Sequence, residues 1–488
     1  MNQPLSVQCL VAAISGFLAH GLYFIHWTDD RNAMKVLLGH VIDFFVLVLL
    51  KASFLAFAAY LVALFTSITV YRLFFHRQRR FPGPVWASIT KAYGVYANRD
   101  GKLHEVYDQL LHQYGPFVRI GLYTQSSMSK CTKGNVYATL EYGHHRVLNL
   151  DSITDKTEHR FRRQVWDRAF SGQAIDAREK PTRDVIHQWL AKVDELQGQP
   201  LNWTLFASLI SFDITGHVGF SVDFGGVRSG EKNVHQQYIQ SLFKVMADAG
   251  QQPWLIGLAK KRLVAQYLKD AEAKEDIFHY FIDDFESKEP QVFFTQGHLE
   301  CDAQAILIGA ADSSIPPQTL CFWHLILSPG TIDARRAELS PLCNCSHNRG
   351  FINADLTCSA PFLNAIINET MRLYSSACTN APKQTPPGGI RYFVSPRDWI
   401  PERWTTKPEL VLDKPAYHPF STGPFNCVGQ RQAMMTLRMV TAYTVWFCNV
   451  EFAPGEDGRA VVRNSRNQLF LVPGPLKLVF NKRLNPKV

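Results

Sequence analysis

Residues 419–430 read PFSTGPFNCVGQ, and a helical pattern runs on from about Gly429 to Phe447. Phe420, Gly423, Cys427 and Gly429 make the spacing F-x-x-G-x-x-x-C-x-G. A cysteine that serves as a thiolate ligand needs three things, and this loop has residues for each. Backbone N–H groups must be able to turn toward the sulfur, which Gly423 and Gly429 permit because glycine reaches conformations closed to other residues. A helix must start close by, since its dipole favours the anion. An apolar neighbour must shield the sulfur, and Phe420 is available. A buried structural cysteine ahead of a helix is the plain alternative, which the loop by itself leaves open.

Four stretches upstream bear on that choice. HRFRRQVWDRAF (159–170) is a basic helical pattern, and GAADSS (309–314) lies inside a long helical run from about Gly297 to Leu327. NETMRLY (368–374) contains Glu369 and Arg372 at E-x-x-R spacing. WIPERW (399–404) places Arg403 24 positions before Cys427. Each is weak alone. A carboxylate beside a hydroxyl, as in Asp312-Ser313, can relay protons, but GAADSS also suits a small-residue helix contact. The run 159–170 also suits a solvated basic face.

In this order and spacing the motifs resemble the cytochrome P-450 family of haem-thiolate monooxygenases, over most of residues 81–488. The resemblance implies a mainly α fold with a small β part, preceded by transmembrane helices. It makes Cys427 the axial ligand of haem iron, with Phe420, Gly423 and Gly429 as its loop. Asp312 matches the acid of the oxygen-activation helix, and Ser313 falls where a Thr is usual. His159, Arg163 and Lys383 are implied as contacts to the haem propionates, which need cations in an apolar pocket. Glu369, Arg372 and Arg403 match a structural ion-pair triad, which holds the cysteine loop and does no chemistry. Electrons are expected from NADPH through a separate reductase, because no G-x-G-x-x-G opens a βαβ unit here. The expected substrate is a lipophilic small molecule. The amino-terminal spans and the phrasing of SKCTKG, WDRAFS and TPPGGI are most similar to filamentous-fungal members of secondary metabolism.

Composition agrees with that class. In 488 residues, 46% are apolar and 19% charged, ample for a large core. A mean hydropathy of −0.10 excludes a polytopic transporter but allows an anchor. The net charge of +9 suits nucleic acid, an anionic membrane or an acidic protein, and does not choose among them. The family implied here leaves nucleic acid out. Ten cysteines without a C-x-x-C pair read as a reducing compartment. Cys343-x-Cys345-x-His347 lacks the second ligand pair of a zinc finger.

The stretch Val7–Trp27 carries no formal charge, and Ala52–Tyr71 is uncharged for 20 residues, enough to cross a bilayer. Val36–Leu50 is apolar but broken by Asp43, so two or three spans are open. Arg72, Arg77, Arg79 and Arg80 put the far end in the cytosol by the positive-inside rule. Residues 1–80 are thus expected as a membrane anchor and 81–488 as a cytosolic catalytic domain, on the endoplasmic reticulum.

Three departures from the family stand out. Phe425 occupies a position that usually carries Arg or His. Arg372 and Arg403 lie only 31 positions apart, with TPPGGI (385–390) running almost directly into YFVSPRDW. A smaller gap follows Gly121. Two alternatives stand beside monooxygenation: Ser313 in place of Thr leaves haem-thiolate coupling, dehydration or rearrangement open, and the short 372–403 span leaves a truncated haem-free relic.

Overall fold

A computed structural model describes residues 4–24, 54–76, 78–90, 92–115, 118–120, 148–153, 155–234, 276–343, 354–377, 392–468 and 470–483, with short stretches at 36, 38–42, 236–237, 239–241 and 352. Eleven helices of ten residues or more stand among them. They are α1 (Leu5–Ala19), α2 (Phe54–Val70), α3 (Leu103–Tyr114), α4 (Lys156–Ala169), α5 (Glu179–Leu196) and α6 (Trp203–Phe220). Then come α7 (Ile277–Glu286), α8 (Gln296–Leu327), α9 (Pro329–Cys343), α10 (Pro361–Leu373) and α11 (Gln430–Phe447). The β part is small, as the sequence implies. Strands β1 (Leu201–Asn202), β2 (Cys448–Phe452) and β5 (Lys477–Lys482) form an antiparallel sheet in the order β1-β5-β2. Strands β3 (Arg466–Gln468) and β4 (Phe470–Val472) pair antiparallel as a separate ribbon.

The core sits where α5, α6, α8 and α11 meet. Helix α6 is apolar all round and almost wholly buried, the pattern of a helix with neighbours on every side. Trp203 of α6 packs on Trp189 of α5 at 5.3 Å, on Phe322 of α8 at 4.8 Å and on Phe480 of β5 at 5.2 Å between ring centroids. The two indole N–H groups are satisfied, Trp189 by Thr444 Oγ1 at 3.2 Å and Trp203 by the Gln318 carbonyl at 3.4 Å. This aromatic block fixes α8, on which half of the site stands.

Helix α8 runs unbroken for 32 residues through Pro316 and Pro317, residues that ordinarily break a helix interior. Pro317 has no N–H for the Ser313 carbonyl, four residues back. The Ser376 hydroxyl donates to that carbonyl at 2.6 Å, so a residue beyond α10 completes the helix. Helix α9 is not legible in the sequence, because Pro329, Gly330 and Pro341 read as breakers. A proline in the first turn needs no N–H partner, and the helix forms. Its Glu338 accepts from the N–H groups of Phe362 (2.7 Å) and Leu363 (3.1 Å), capping α10, which has no capping side chain of its own. Among the described residues 118–120, Arg119 is a bridge residue.

Leu5–Tyr23 and Phe54–Phe75 are long and apolar enough to cross a bilayer, with Leu10, Phe17, Phe54 and Phe65 facing outward. The two helices touch closely. A Cβ on Gly16 would lie 2.4 Å from the Tyr60 carbonyl oxygen, so only glycine permits this approach. One turn later, His20 Nδ1 and Ser67 Oγ share a hydrogen bond of 2.7 Å, and the His20 ring meets Tyr71. Contacts advance along both helices in the same sense, so α1 and α2 lie parallel. At the end of α2 the Arg72 side chain donates to the Ile89 carbonyl, and Arg119 Nη1 donates to the Arg72 carbonyl at 3.0 Å. The Pro82-Gly83-Pro84 linker is held too, with the Arg119 N–H on the Pro82 carbonyl at 2.7 Å.

Candidate functional site

The loop before α11 closes on itself. Gly423 has φ +79°, a left-handed conformation that glycine takes without strain, and its carbonyl accepts from the Asn426 N–H at 3.1 Å. The Cys427 N–H donates to the Phe420 carbonyl at 2.9 Å, which sets the sulfur between Phe420 and the start of α11. The Gly429 N–H donates to that sulfur. A Cβ at Gly429 would lie 3.9 Å from Cys427 Sγ and 3.7 Å from Phe170, so position 429 sits directly under the sulfur. Burial pushes the Cys427 thiol up, while the Gly429 N–H and the Arg163 guanidinium pull it down.

Helix α4 forms one wall of this loop. Asp155 caps it by accepting from the N–H groups of Thr157 (2.9 Å) and Glu158 (2.8 Å). On one face stand His159, Arg162, Arg163 and Trp166, at helical spacing. Arg163 gives Nε to Asp167 (2.7 Å) and Nη1 to the Asn426 carbonyl (2.8 Å), so it grips the cysteine loop by its backbone. The buried His159 ring meets Phe425 edge-on at 4.5 Å. Phe425, the departure noted in the sequence, is thus packed on another member of the expected set. Arg162 and Trp166 were not singled out by sequence, and they bolt α4 to α8. Asp302, fully buried, accepts from Trp166 Nε1 (2.9 Å) and the Leu150 N–H (3.0 Å), with Arg162 Nη1 at 3.7 Å. Lys383 lies outside the described residues, as do 121–147 and 378–391, the parts of the chain next to the two gaps.

The middle of α8 carries Asp312 and Ser313, and the structure does not join them. Successive helical residues point about 100° apart. Asp312 is buried and its Oδ1 accepts from Gln240 Nε2 at 3.1 Å. Burial pushes its carboxyl up to about 6, against the pull of Gln240 and the Lys232 ammonium. The Ser313 hydroxyl donates instead to the Gly309 carbonyl at 2.5 Å. A direct relay from carboxyl to hydroxyl is therefore absent among the described contacts.

Glu369, Arg372 and Arg403 come together although 31 positions separate the two arginines. Glu369 Oε1 accepts from Arg403 Nε (2.8 Å), Arg372 Nη2 (2.9 Å) and the Ile400 N–H (2.8 Å). Its Oε2 accepts from Arg372 Nε (2.8 Å) and Trp404 Nε1 (2.9 Å). The remaining guanidinium nitrogens hold backbone carbonyls. Arg403 takes those of Val394 (3.0 Å) and Ser395 (3.2 Å), and Arg372 those of Pro396 (2.6 Å) and Asp398 (3.0 Å). A carboxylate buried with five donors is fully compensated, which is the condition for such a set to be tolerated.

The residues fit a haem. Cys427 retains open surface even though burial raises its thiol, so the opening is an interior one. Gly309 and Ala310 are likewise open in the middle of α8, between the buried Leu307 and Ala311, and a Cβ at Gly309 would meet nothing within 4 Å. A cysteine with open surface and a small-residue helix face, both left uncovered by the chain, suit a flat apolar group with a thiolate ligand. Among the described residues no cluster of His, Cys, Asp and Glu offers a competing metal site.

Comparison with known proteins agrees. The cytochrome P-450 family model matches residues 391–480, starting just after the point where the chain is short. Cytochrome P-450 monooxygenase phqL of Penicillium fellutanum is 30% identical over 479 residues, covering 86% of this chain and 82% of its own. Cytochrome P-450 monooxygenase lcsK of Purpureocillium lilacinum is 26% identical, covering 98% of this chain and 99% of its own. That alignment runs over 557 positions, more than the 488 residues here, so the relative carries segments this chain lacks. The haem domain of cytochrome P-450DA has the same fold, with a TM-score of 0.60 at 14% identity over 83% of this chain and 98% of that one.

Proposed function

The chain belongs to the cytochrome P-450 family of haem-thiolate monooxygenases, and on that premise we propose how its residues carry the reaction. Haem, when bound, supplies the chemistry that splits O₂ and places one oxygen atom in a lipophilic substrate. Cys427 Sγ would hold the haem iron, and the Gly429 N–H beside the sulfur would stabilise the negative charge that ligation requires. His159 and Arg163 would hold the propionates, and Arg163 also fixes the loop through the Asn426 carbonyl. Asp312 holds protons: with its carboxyl near 6, both protonation states are populated around neutrality. The Ser313 hydroxyl lies on the open α8 face beside Gly309 and receives protons through an intervening molecule rather than from Asp312 directly. The observation that carries the reading is the closed loop, with a backbone N–H on a sulfur whose other side is open.

The test is oxidation under labelled dioxygen. One labelled oxygen atom in the product is the expected result. Product without label sinks monooxygenation and favours coupling, dehydration or rearrangement, a reading to which the Asp312–Ser313 separation lends some support. The electron source in this proposal is NADPH through a separate reductase.

Residues 1–80 serve in this reading as the anchor of a catalytic domain, 81–488, on the cytosolic face of the endoplasmic reticulum. Parallel packing of α1 and α2 adds a topological consequence. The Leu5 and Phe54 ends lie on one face of the membrane, and Arg72, Arg79 and Arg80 on the other. The chain returns between them, and the helical stretch 38–42, with His40 against Tyr60 at 3.3 Å, lies at the right depth for that passage. Three spans follow. A glycosylation acceptor placed before Leu5 should be modified in the endoplasmic reticulum, while one after Val488 should not. An unmodified amino-terminal acceptor in membrane-inserted protein counts against three spans.

A further inference from the structure

We propose that Gln240 is the positioning residue for Asp312, and that Lys232 fixes the orientation in which its side-chain amide acts. The inference deepens the reading of Asp312 as a proton-holding group and rests on it.

Gln240 makes three polar contacts, and each uses a particular end of its amide. Lys232 Nζ donates to Oε1 at 2.5 Å, and an ammonium has only donors, so this contact specifies the oxygen end. The two N–H groups on Nε2 are thereby directed the other way. One meets Asp312 Oδ1 at 3.1 Å and the other Ser208 Oγ at 3.1 Å. Ser208, on α6, is itself held by Gln236 Nε2 at 2.7 Å. The amide is clamped at both ends, and its donor face looks into a buried carboxyl.

The electrostatics around Asp312 are simple. Lys232 is the charged group that acts on it among the described residues. Helix α6 presents Ser208 and Ser211 on the side facing α8, and Ser211 is taken by Gln318 Nε2 at 2.9 Å. The Lys232 ammonium is itself partly desolvated, which pushes it down, and Asp312 pulls it back up. No charged group on Asp312's own helix is needed to account for its state.

The consequence is a carboxyl held on one oxygen by a donor that cannot turn round. With the ammonium removed, the amide can rotate and present Oε1 to Asp312, an arrangement only the protonated acid accepts. With the amide removed, the carboxylate is buried without a donor. Both changes favour the protonated acid. Lys232→Arg keeps a donor-only cation and should preserve the orientation.

The experiment follows the infrared carbonyl band of protonated Asp312, identified by its loss in Asp312→Asn, against pH in the haem-loaded full chain. The ratio of product formed to NADPH consumed is recorded over the same pH series. Lys232→Met and Gln240→Leu should each move the Asp312 midpoint up by about one pH unit, with Lys232→Arg unchanged. Should the fold reject Gln240→Leu, Gln240→Met replaces it, since Lys232→Met also removes a charge that acts on Asp312 and moves the midpoint without any turn of the amide. Midpoints that coincide with wild type overturn the proposal. A shifted midpoint with a product ratio that does not follow supports the positioning role and overturns the proton-holding role of Asp312 instead.

Discussion

Cys427→Ala is expected to abolish the strongly red-shifted Soret band that the reduced, CO-treated protein gives in membranes, while leaving the fold nearly intact. The sulfur has open surface and fills no core position, so its removal creates little cavity. The loop is closed by backbone bonds from Cys427 to Phe420 and from Asn426 to Gly423, which alanine keeps. The change in folding stability of the haem-free chain should therefore stay below about 1 kcal/mol, read as a denaturant midpoint in detergent. Loss of the band with the midpoint unchanged is the signature of a ligand. A band that survives the substitution would remove Cys427 from the site and with it the proposed mechanism. Wild-type protein that is present but shows no haem band would favour the relic.

Glu369→Ala should act in the opposite way, through the fold first. Its carboxylate is fully buried and takes five hydrogen bonds, four of them from side chains of Arg372, Arg403 and Trp404. Truncation leaves two guanidinium groups buried without their counter-charge, at a cost of about 3–5 kcal/mol. That is a large part of the roughly 5–15 kcal/mol that holds a domain together. The carbonyls of Val394, Ser395, Pro396 and Asp398 hang on the same two arginines, so the segment leading to the cysteine loop should loosen. Glu369→Gln, which keeps the shape but turns an N–H toward donors, should fall between. The checks are the denaturant midpoint and the yield of folded protein in membranes. A Glu369→Ala chain with wild-type stability would mean that 392–411 is held by other contacts.

The two substitutions separate what the sequence conveys from what it conceals. The cysteine loop and α11 are legible because their residues are contiguous: glycines, cysteine and helix start fall within a dozen positions, and local chemistry specifies their arrangement. Glu369 and Arg372 are legible for the same reason, one helical turn apart. Arg403 is found by its distance from Cys427 and by resemblance, not by any local signal. Missed altogether are contacts between residues far apart in the chain. Asp302 with Trp166 is one, Ser376 completing α8 behind Pro317 another, and Glu338 capping α10 a third. Each looks unremarkable beside its own neighbours.

Asp312 and Ser313 show the limit most clearly. Adjacent in sequence, they invite a direct relay, yet the turn of the helix sends the carboxyl to Gln240 and the hydroxyl to Gly309. The sequence by itself determined the helix-rich fold class, the glycine-flanked cysteine ahead of α11 and the apolar amino-terminal helices, because periodicity, glycine placement and uncharged length are local properties. Tertiary structure alone decided that α1 and α2 run parallel, that Phe425 packs on His159, and that an amide oriented by Lys232 faces Asp312. Those depend on which helices meet and at what register, and packing sets both only when the whole chain has closed around one core.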